Sequence, residues 1–296
     1  MIMRKLLFAL LPVTALLAGS CTDEKDQPVN TSRVSGTMPT VMIPTDVNKP
    51  AEFVTDMLYS FTNYYGKGVW TVAVNNIHYN GLPVLSFESP EIVPSSSGKG
   101  VYLGYYSQFP ANNNMMVNSL GVLMTNSYNY YIDYPENNPP LGTLIVASFN
   151  LANEYTAKTI TPRCYFAGNT VSKYESGGEH KTFTTDKPIY YMDIDLDAKK
   201  ADMVIYNAQF APEMPSIPRM QVLGLTVEPD RTYGYRIKGS GIAPIAGEGA
   251  NAVPYPAFTF YDLEFHPISE DLTQGQLTFR VGERYSATFR GSYLKK

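Results

Sequence analysis

The chain reads as an all-β protein: two consecutive antiparallel β units, each a barrel or sandwich, behind a signal peptide and a flexible linker. Three observations predict this. Short apolar runs recur along the chain, bounded by Gly, Pro, Asn or Asp, and many alternate apolar with polar residues. Aromatic loading is heavy, with 23 Tyr and 14 Phe, and flat rings pack well on a pleated, half-buried surface. Beyond the leader, only residues 51–61 place apolar side chains at helical spacing, so recurring helices are not expected.

The elements follow in order. Arg4 and Lys5 form a positive start, and residues 6–17 form an apolar stretch broken only by Pro12 and Thr14. That stretch is about half of the roughly 20 residues a spanning helix needs, so residues 1–20 are expected to be cleaved as a signal peptide. Ala18, Gly19 and Ser20 lead directly into Cys21, which is where a lipoprotein carries its lipid. Residues 21–50 hold many Thr, Ser, Pro, Asp and Asn and little apolar periodicity, which predicts a lipidated, flexible linker. Phe53, Val54, Met57, Leu58 and Phe61 predict a short helix or turn over 51–61. The clearest strands are 68–74, 142–149 and 189–196, and further ones fall at 201–206, 232–237, 257–265, 276–281 and 285–293.

A weak internal echo divides the chain. Thr71 to Asn76 precedes Leu82-Pro83, and Met203 to Ala208 precedes Met214-Pro215; each β run carries Asn at its end. Residues 168–179, polar and containing Gly177-Gly178, mark the junction. The expected units are therefore an N-terminal β domain over 51–170 and a C-terminal one over 171–296.

In the second half several segments look familiar. Asp193-Ile194-Asp195-Leu196-Asp197 leads into the run from Lys200 to Pro215. Tyr233-Gly234-Tyr235-Arg236-Ile237, Ile242-Ala243-Pro244 and Pro254-Tyr255-Pro256-Ala257-Phe258 follow. Their order resembles the calycin-like β-barrel domains of Bacteroidetes outer-membrane lipoproteins over residues 180–296. That resemblance implies a calycin-like fold and a lipid-anchored outer-membrane address, at the cell surface or on the periplasmic face. It carries over no catalytic or ligand-binding residue. Thr22 to Asp26 is acidic and either resembles the surface-export tag of such lipoproteins or is a solvated linker.

Composition removes some functions. Loss of residues 1–20 leaves 276 residues and takes two positive charges away, so the mature chain has 21 Lys and Arg against 27 Asp and Glu. An acidic chain without basic blocks does not neutralise phosphates, and no nucleic-acid partner is expected. With Cys21 lipidated, Cys164 is the only other cysteine; beside Tyr165 and Phe166 it reads as a buried structural thiol. Asp193, Asp195 and Asp197 have the first spacing of a calcium loop, but Ala198 and Val204 stand where that loop needs Gly and Glu. His78, His180 and His266 show no metal-ligand spacing, and His266, before Pro267, reads as a solvated turn position. Gly239-Ser240-Gly241 lacks the frame of a nucleophile elbow, and Glu88 and Glu91 read as surface charges. No catalytic residue, metal site or cofactor is assigned.

Two polar-aromatic loops remain, Asn112 to Met116 and Asn126 to Tyr131. In the second, Tyr128, Tyr130 and Tyr131 offer flat stacking faces, and Asn126 and Asn129 offer amides that donate and accept hydrogen bonds. The same residues also suit turns and strand ends. The leading expectation is a surface-tethered, non-catalytic lipoprotein, held to the membrane through Cys21, that binds a small molecule, lipid or glycan. The alternative is an adhesion or assembly component that binds another protein through loops or edge strands. A third is an enzyme with an unrecognised site. A hollow apolar barrel favours the first, a long unpaired edge strand the second and a buried carboxylate cluster the third.

Overall fold

A computed structural model describes residues 31–97, 100–128, 141–247, 249–270 and 272–294, so the expected signal peptide, Cys21 and the acidic segment lie outside the described residues. The described chain is all-β and antiparallel throughout. Its first half contains β1 (Thr31–Thr37), β2 (Thr40–Pro44), β3 (Glu52–Val54), β4 (Leu58–Tyr64), β5 (Val69–Ile77) and β6 (Leu85–Glu88). It continues with β7 (Ser95–Ser97), β8 (Gly100–Tyr105), β9 (Phe109–Pro110), β10 (Met116–Tyr128), β11 (Leu141–Leu151) and β12 (Tyr155–Thr159).

These strands form two sheets. One has the order β1-β4-β5-β6; the other runs β3-β2-β12-β11-β10-β8-β7, with β9 added to β10. Tyr59, Phe61, Val72 and Val74 of the small sheet share a core with Leu120, Val122 and Phe149 of the large one. Phe87 on β6 meets Phe149 on β11 edge to face at 5.1 Å, which ties the two layers together. The large sheet is apolar on both faces: Met42 points into this core, whereas its neighbour Val41 and the β11 residues Leu144 and Val146 join the core of the second half.

The second half contains β13 (Arg163–Ser176), β14 (Glu179–Thr185), β15 (Ile189–Asp195), β16 (Lys200–Ala208), β17 (Ile217–Asp230) and β18 (Gly234–Gly239). After it come β19 (Ile245–Ala246), β20 (Val253–Pro254), β21 (Phe260–Pro267), β22 (Gln274–Val281) and β23 (Tyr285–Tyr293). The order β16-β15-β13-β23-β22-β21-β18-β17 closes on itself, because β16 also pairs with β17. This is a closed eight-stranded antiparallel barrel. The hairpin partner β14 branches from β13, and β19 and β20 branch from β17. Closure needs a close approach between β13 and β23, where Gly168 lies opposite Gly291. A Cβ on Gly168 would sit 2.2 Å from the Arg290 carbonyl oxygen, so only glycine lets the two backbones meet.

Several expectations change. Residues 51–61 form no helix: they are β3 and the start of β4, and Tyr59 and Phe61 are buried on one face of a paired strand while Leu58 is exposed. The spacing of Phe53, Val54, Met57, Leu58 and Phe61 follows the helical period, and tertiary strand pairing overrides it. The linker does not extend to residue 50, since β1 and β2 are ordered by pairing with β4 and β12. The chain crosses between halves at residues 160–162, and β13 runs straight through the expected junction. Gly177 and Gly178, both at positive φ, make the tight β13–β14 turn. The internal echo is local: Asn76 and Asn207 both adopt positive φ within their strands, but the first half is a layered pair of sheets and the second a barrel.

The halves are also joined by polar contacts. The Arg231 guanidinium donates to the carbonyls of Asp46 at 2.7 Å, Thr45 at 3.3 Å and Lys49. Thr55 Oγ1 donates to Asp197 Oδ1 at 2.6 Å.

Candidate functional site

The barrel interior is the first place to look for a ligand, and it is filled. Phe166, Tyr190, Met192, Met203, Ile205, Tyr235, Phe260 and Phe289 are each fully buried. Phe166 packs on Phe265 at 5.0 Å and on Tyr293 at 4.8 Å, and Tyr190 packs on Phe289 at 4.3 Å. Large aromatic side chains from facing strands thus occupy the space that a hollow barrel would offer. Inside, Thr170 Oγ1 shares a hydrogen bond with Tyr190 Oη at 3.0 Å. In the first half Thr40 Oγ1 does the same with Tyr59 Oη at 2.9 Å. Burial pushes both phenols above their ordinary range.

Cys164 is buried in the barrel near Tyr235 and Tyr293, and burial pushes its thiol well above the ordinary value. A thiol held protonated is a poor nucleophile, which bears out the structural reading of this residue.

The aspartate triplet falls on a strand and the turn after it, and its members serve different contacts. Asp193 pairs with Arg163 at 3.2 Å, Asp195 Oδ1 accepts the Ala198 backbone N–H at 2.8 Å, and Asp197 accepts from Thr55. Met192, Ile194 and Leu196 alternate with them into the core. Among the described residues no group of three His, Cys, Asp or Glu side chains is placed to hold a metal ion. Glu91 is in an exposed ion pair with Lys67.

His266 departs from expectation. It lies near the end of β21 with its side chain only 13 % exposed, and its ring packs against that of Tyr233 at 4.2 Å, tilted by 32°. Burial lowers its pKa below the ordinary 6.5, and Arg236 lowers it further, while Glu264, 3.7 Å from Nδ1, and Asp230 act in the opposite direction. The unfolded chain therefore takes up this proton at higher pH than the folded one. The neutral ring contributes stability that is fully present above the unfolded value of about 6.5 and is lost below it, as pH falls through the lower folded-state pKa. His266→Gln is expected to flatten the fall in Tm between about pH 7 and pH 5, as measured by circular-dichroism melts across that range.

Of the predicted loop residues, Asn126 and Tyr128 lie on the last positions of β10, opposite Thr143 and Leu141 of β11. Asn129, Tyr130 and Tyr131 lie outside the described residues. Asn126 and Tyr128 thus belong to the end of the β10–β11 strand pair. The other loop is a turn: Asn113 and Asn114 adopt positive φ, and Asn112 Oδ1 accepts the Ser86 backbone N–H at 2.8 Å. Two surface grooves stand out, both open to solvent. One of about 660 Å³ lies beside Lys238 and Asp262 on the barrel wall; one of about 490 Å³ lies beside Lys173, Arg280 and Arg284. Lys238 and Arg280 are held by Glu228 and Asp262, so the groove walls are laced with ion pairs.

No protein-family model matches the chain, and no curated protein matches it. Among solved structures, it is similar to a double mutant of the vaccine antigen Transferrin Binding Protein B from Haemophilus parasuis Hp5. The TM-score is 0.27 and the identity 7%, over 90% of this chain and 76% of that one. It is similar to the isotype 1 Transferrin binding protein B of serogroup B Neisseria meningitidis at TM-score 0.27 and 10% identity, over 90% and 77% of the two chains. At these TM-scores the likeness settles neither fold nor function; the all-β barrel architecture stands on the strand pairing itself.

Proposed function

We propose that this chain is a non-catalytic lipoprotein of the cell envelope that works by binding another protein through its exposed edges and loops. The observation that carries this is the filled barrel: a fold suited to enclosing an apolar ligand has its interior occupied by its own Phe, Tyr and Met side chains. The protein-binding alternative therefore replaces the small-molecule, lipid or glycan reading as the leading one. The polar-aromatic residues Asn126, Tyr128, Asn129, Tyr130 and Tyr131 are a contact region in this proposal, since tyrosines and amides are favoured at binding surfaces.

Attachment is through a lipid on Cys21, with the chain on the outer membrane and facing outward. Ten peptide steps lead from Cys21 to Thr31, where β1 begins. Even fully extended they span only about 33–36 Å, so the folded body is held close to the bilayer. Cys21→Ala is expected to move the protein from the membrane to the soluble fraction with its strand spectrum unchanged. Protease added to intact cells is expected to remove the wild-type chain. Persistence of Cys21→Ala in washed membranes would refute the anchor, and protection of the wild type on intact cells would refute surface exposure.

A further inference from the structure

The strand edges of this protein are unequally protected. Closure removes the edges of the barrel itself. Of the outlying strands, β3 and β7 have three residues each and β6 four. The two-residue strands β9 and β20 both end in proline. The branch strand β14 has seven residues but begins with Glu179, His180 and Lys181, charges that discourage further pairing.

The first strand is different. β1, with the sequence TSRVSGT, pairs with β4 along all seven residues and with no other described strand. Its single charge, the exposed Arg33, is tied back to β4 on the face opposite Val34: Arg33 Nη2 donates to Ser60 Oγ at 2.9 Å, and Ser60 Oγ donates to Ser35 Oγ. Val34 lies opposite Phe61 and so shares its face. Phe61 is 2% exposed but Val34 is 56% exposed, so the apolar face of this sheet continues past its cover.

We propose that β1 pairs antiparallel with β1 of a second copy, about a two-fold axis at Val34. This inference goes beyond the surface-binding reading above: the partner is a second copy of this chain. The strand is self-complementary in this register. Thr31 faces Thr37, Ser32 faces Gly36, Arg33 faces Ser35 and Val34 faces its own counterpart, so no like charges meet. Parallel in-register pairing would instead set Arg33 against Arg33. A two-fold axis normal to the sheet keeps both Val34 side chains on the same face and joins the two small sheets into one continuous eight-stranded sheet. One strand pair is smaller than the standard interface of about 800 Å² per partner, so association is weak in dilute solution. Confinement of both copies to one membrane raises their effective concentration.

The register sets the test. In full-length protein in its own membrane, Val34→Cys brings two thiols together at Cα separations of about 4.5–5.5 Å, within disulfide range. Ser32→Cys leaves them four strand positions apart. Mild oxidation is expected to give a disulfide-linked dimer with Val34→Cys at least tenfold faster than with Ser32→Cys. The buried Cys164 takes no part. In detergent, sedimentation of the wild type is expected to show a monomer–dimer equilibrium that Val34→Lys abolishes without lowering Tm. Equal cross-linking of the two cysteine variants, no cross-linking, or dimerisation of Val34→Lys as strong as wild type would overturn self-pairing. None of those results bears on binding of other proteins. Conversely, saturable binding of an apolar ligand would refute the surface-binding reading and leave strand pairing standing.

Discussion

Phe166→Ala is expected to lower the stability of the protein by about 3–5 kcal/mol, read as a drop in denaturant midpoint at unchanged slope. Phe166 is fully buried at the centre of the barrel, with Phe265 and Tyr293 against its ring. Removing the ring both forfeits transfer energy and leaves a cavity that strands fixed on both sides cannot collapse. Domains of this kind are stable by only about 5–15 kcal/mol, so a loss of this size populates unfolded chains at growth temperature. A change under about 1 kcal/mol would mean that the interior is loosely packed, and the filled barrel would be wrong.

Gly168→Val is expected to be at least as damaging, by about 3 kcal/mol or more, for the opposite reason. Its side chain would enter space held by backbone: the Arg290 carbonyl oxygen at 2.2 Å and the Gly291 Cα at 2.4 Å from the new Cβ. Backbone cannot rotate aside as a flexible side chain can, so the β13–β23 ladder must open, and with it the barrel. Gly66→Ala, in the β4–β5 turn with no atom within 4 Å of its Cβ position, is the control and should change stability by less than about 0.5 kcal/mol. Thermal melts of the three proteins under identical conditions separate these outcomes.

Much of this architecture was legible in local pattern. Ile189 to Asp195 alternates so regularly that strand and inward face could both be read from it, and Met192 and Ile194 are indeed buried. What escaped was non-local. Closure depends on β13 meeting β23, more than a hundred residues further along the chain, and an alternating strand looks the same in an open sheet as in a barrel. Whether a barrel is hollow depends on summed side-chain volumes from facing strands, which no single segment reveals. Residues 31–44 are rich in Thr, Ser and Pro and read as linker, but β1 and β2 are ordered by partners far along the chain, Tyr64 and Tyr155 among them. His266 was misread because its neighbour Pro267 signals a turn, whereas Tyr233, in the turn before β18, covers it. For the site, the polar-aromatic residues from Asn126 to Tyr131 are a proposal from composition alone, and the free edge of β1 became visible only with the sheet order.

The most direct test of surface binding over ligand enclosure is thermal unfolding of the full chain against a panel of fatty acids, bile acids and haem. A ligand that binds only the folded state stabilises it by about 2.7 kcal/mol at one hundred times its Kd, a shift of several degrees that no filled barrel can produce. The filled interior predicts no saturable rise in Tm with any of these compounds. A stoichiometric, saturable rise with one of them, lost in a variant that enlarges a side chain inside the barrel, would contradict it.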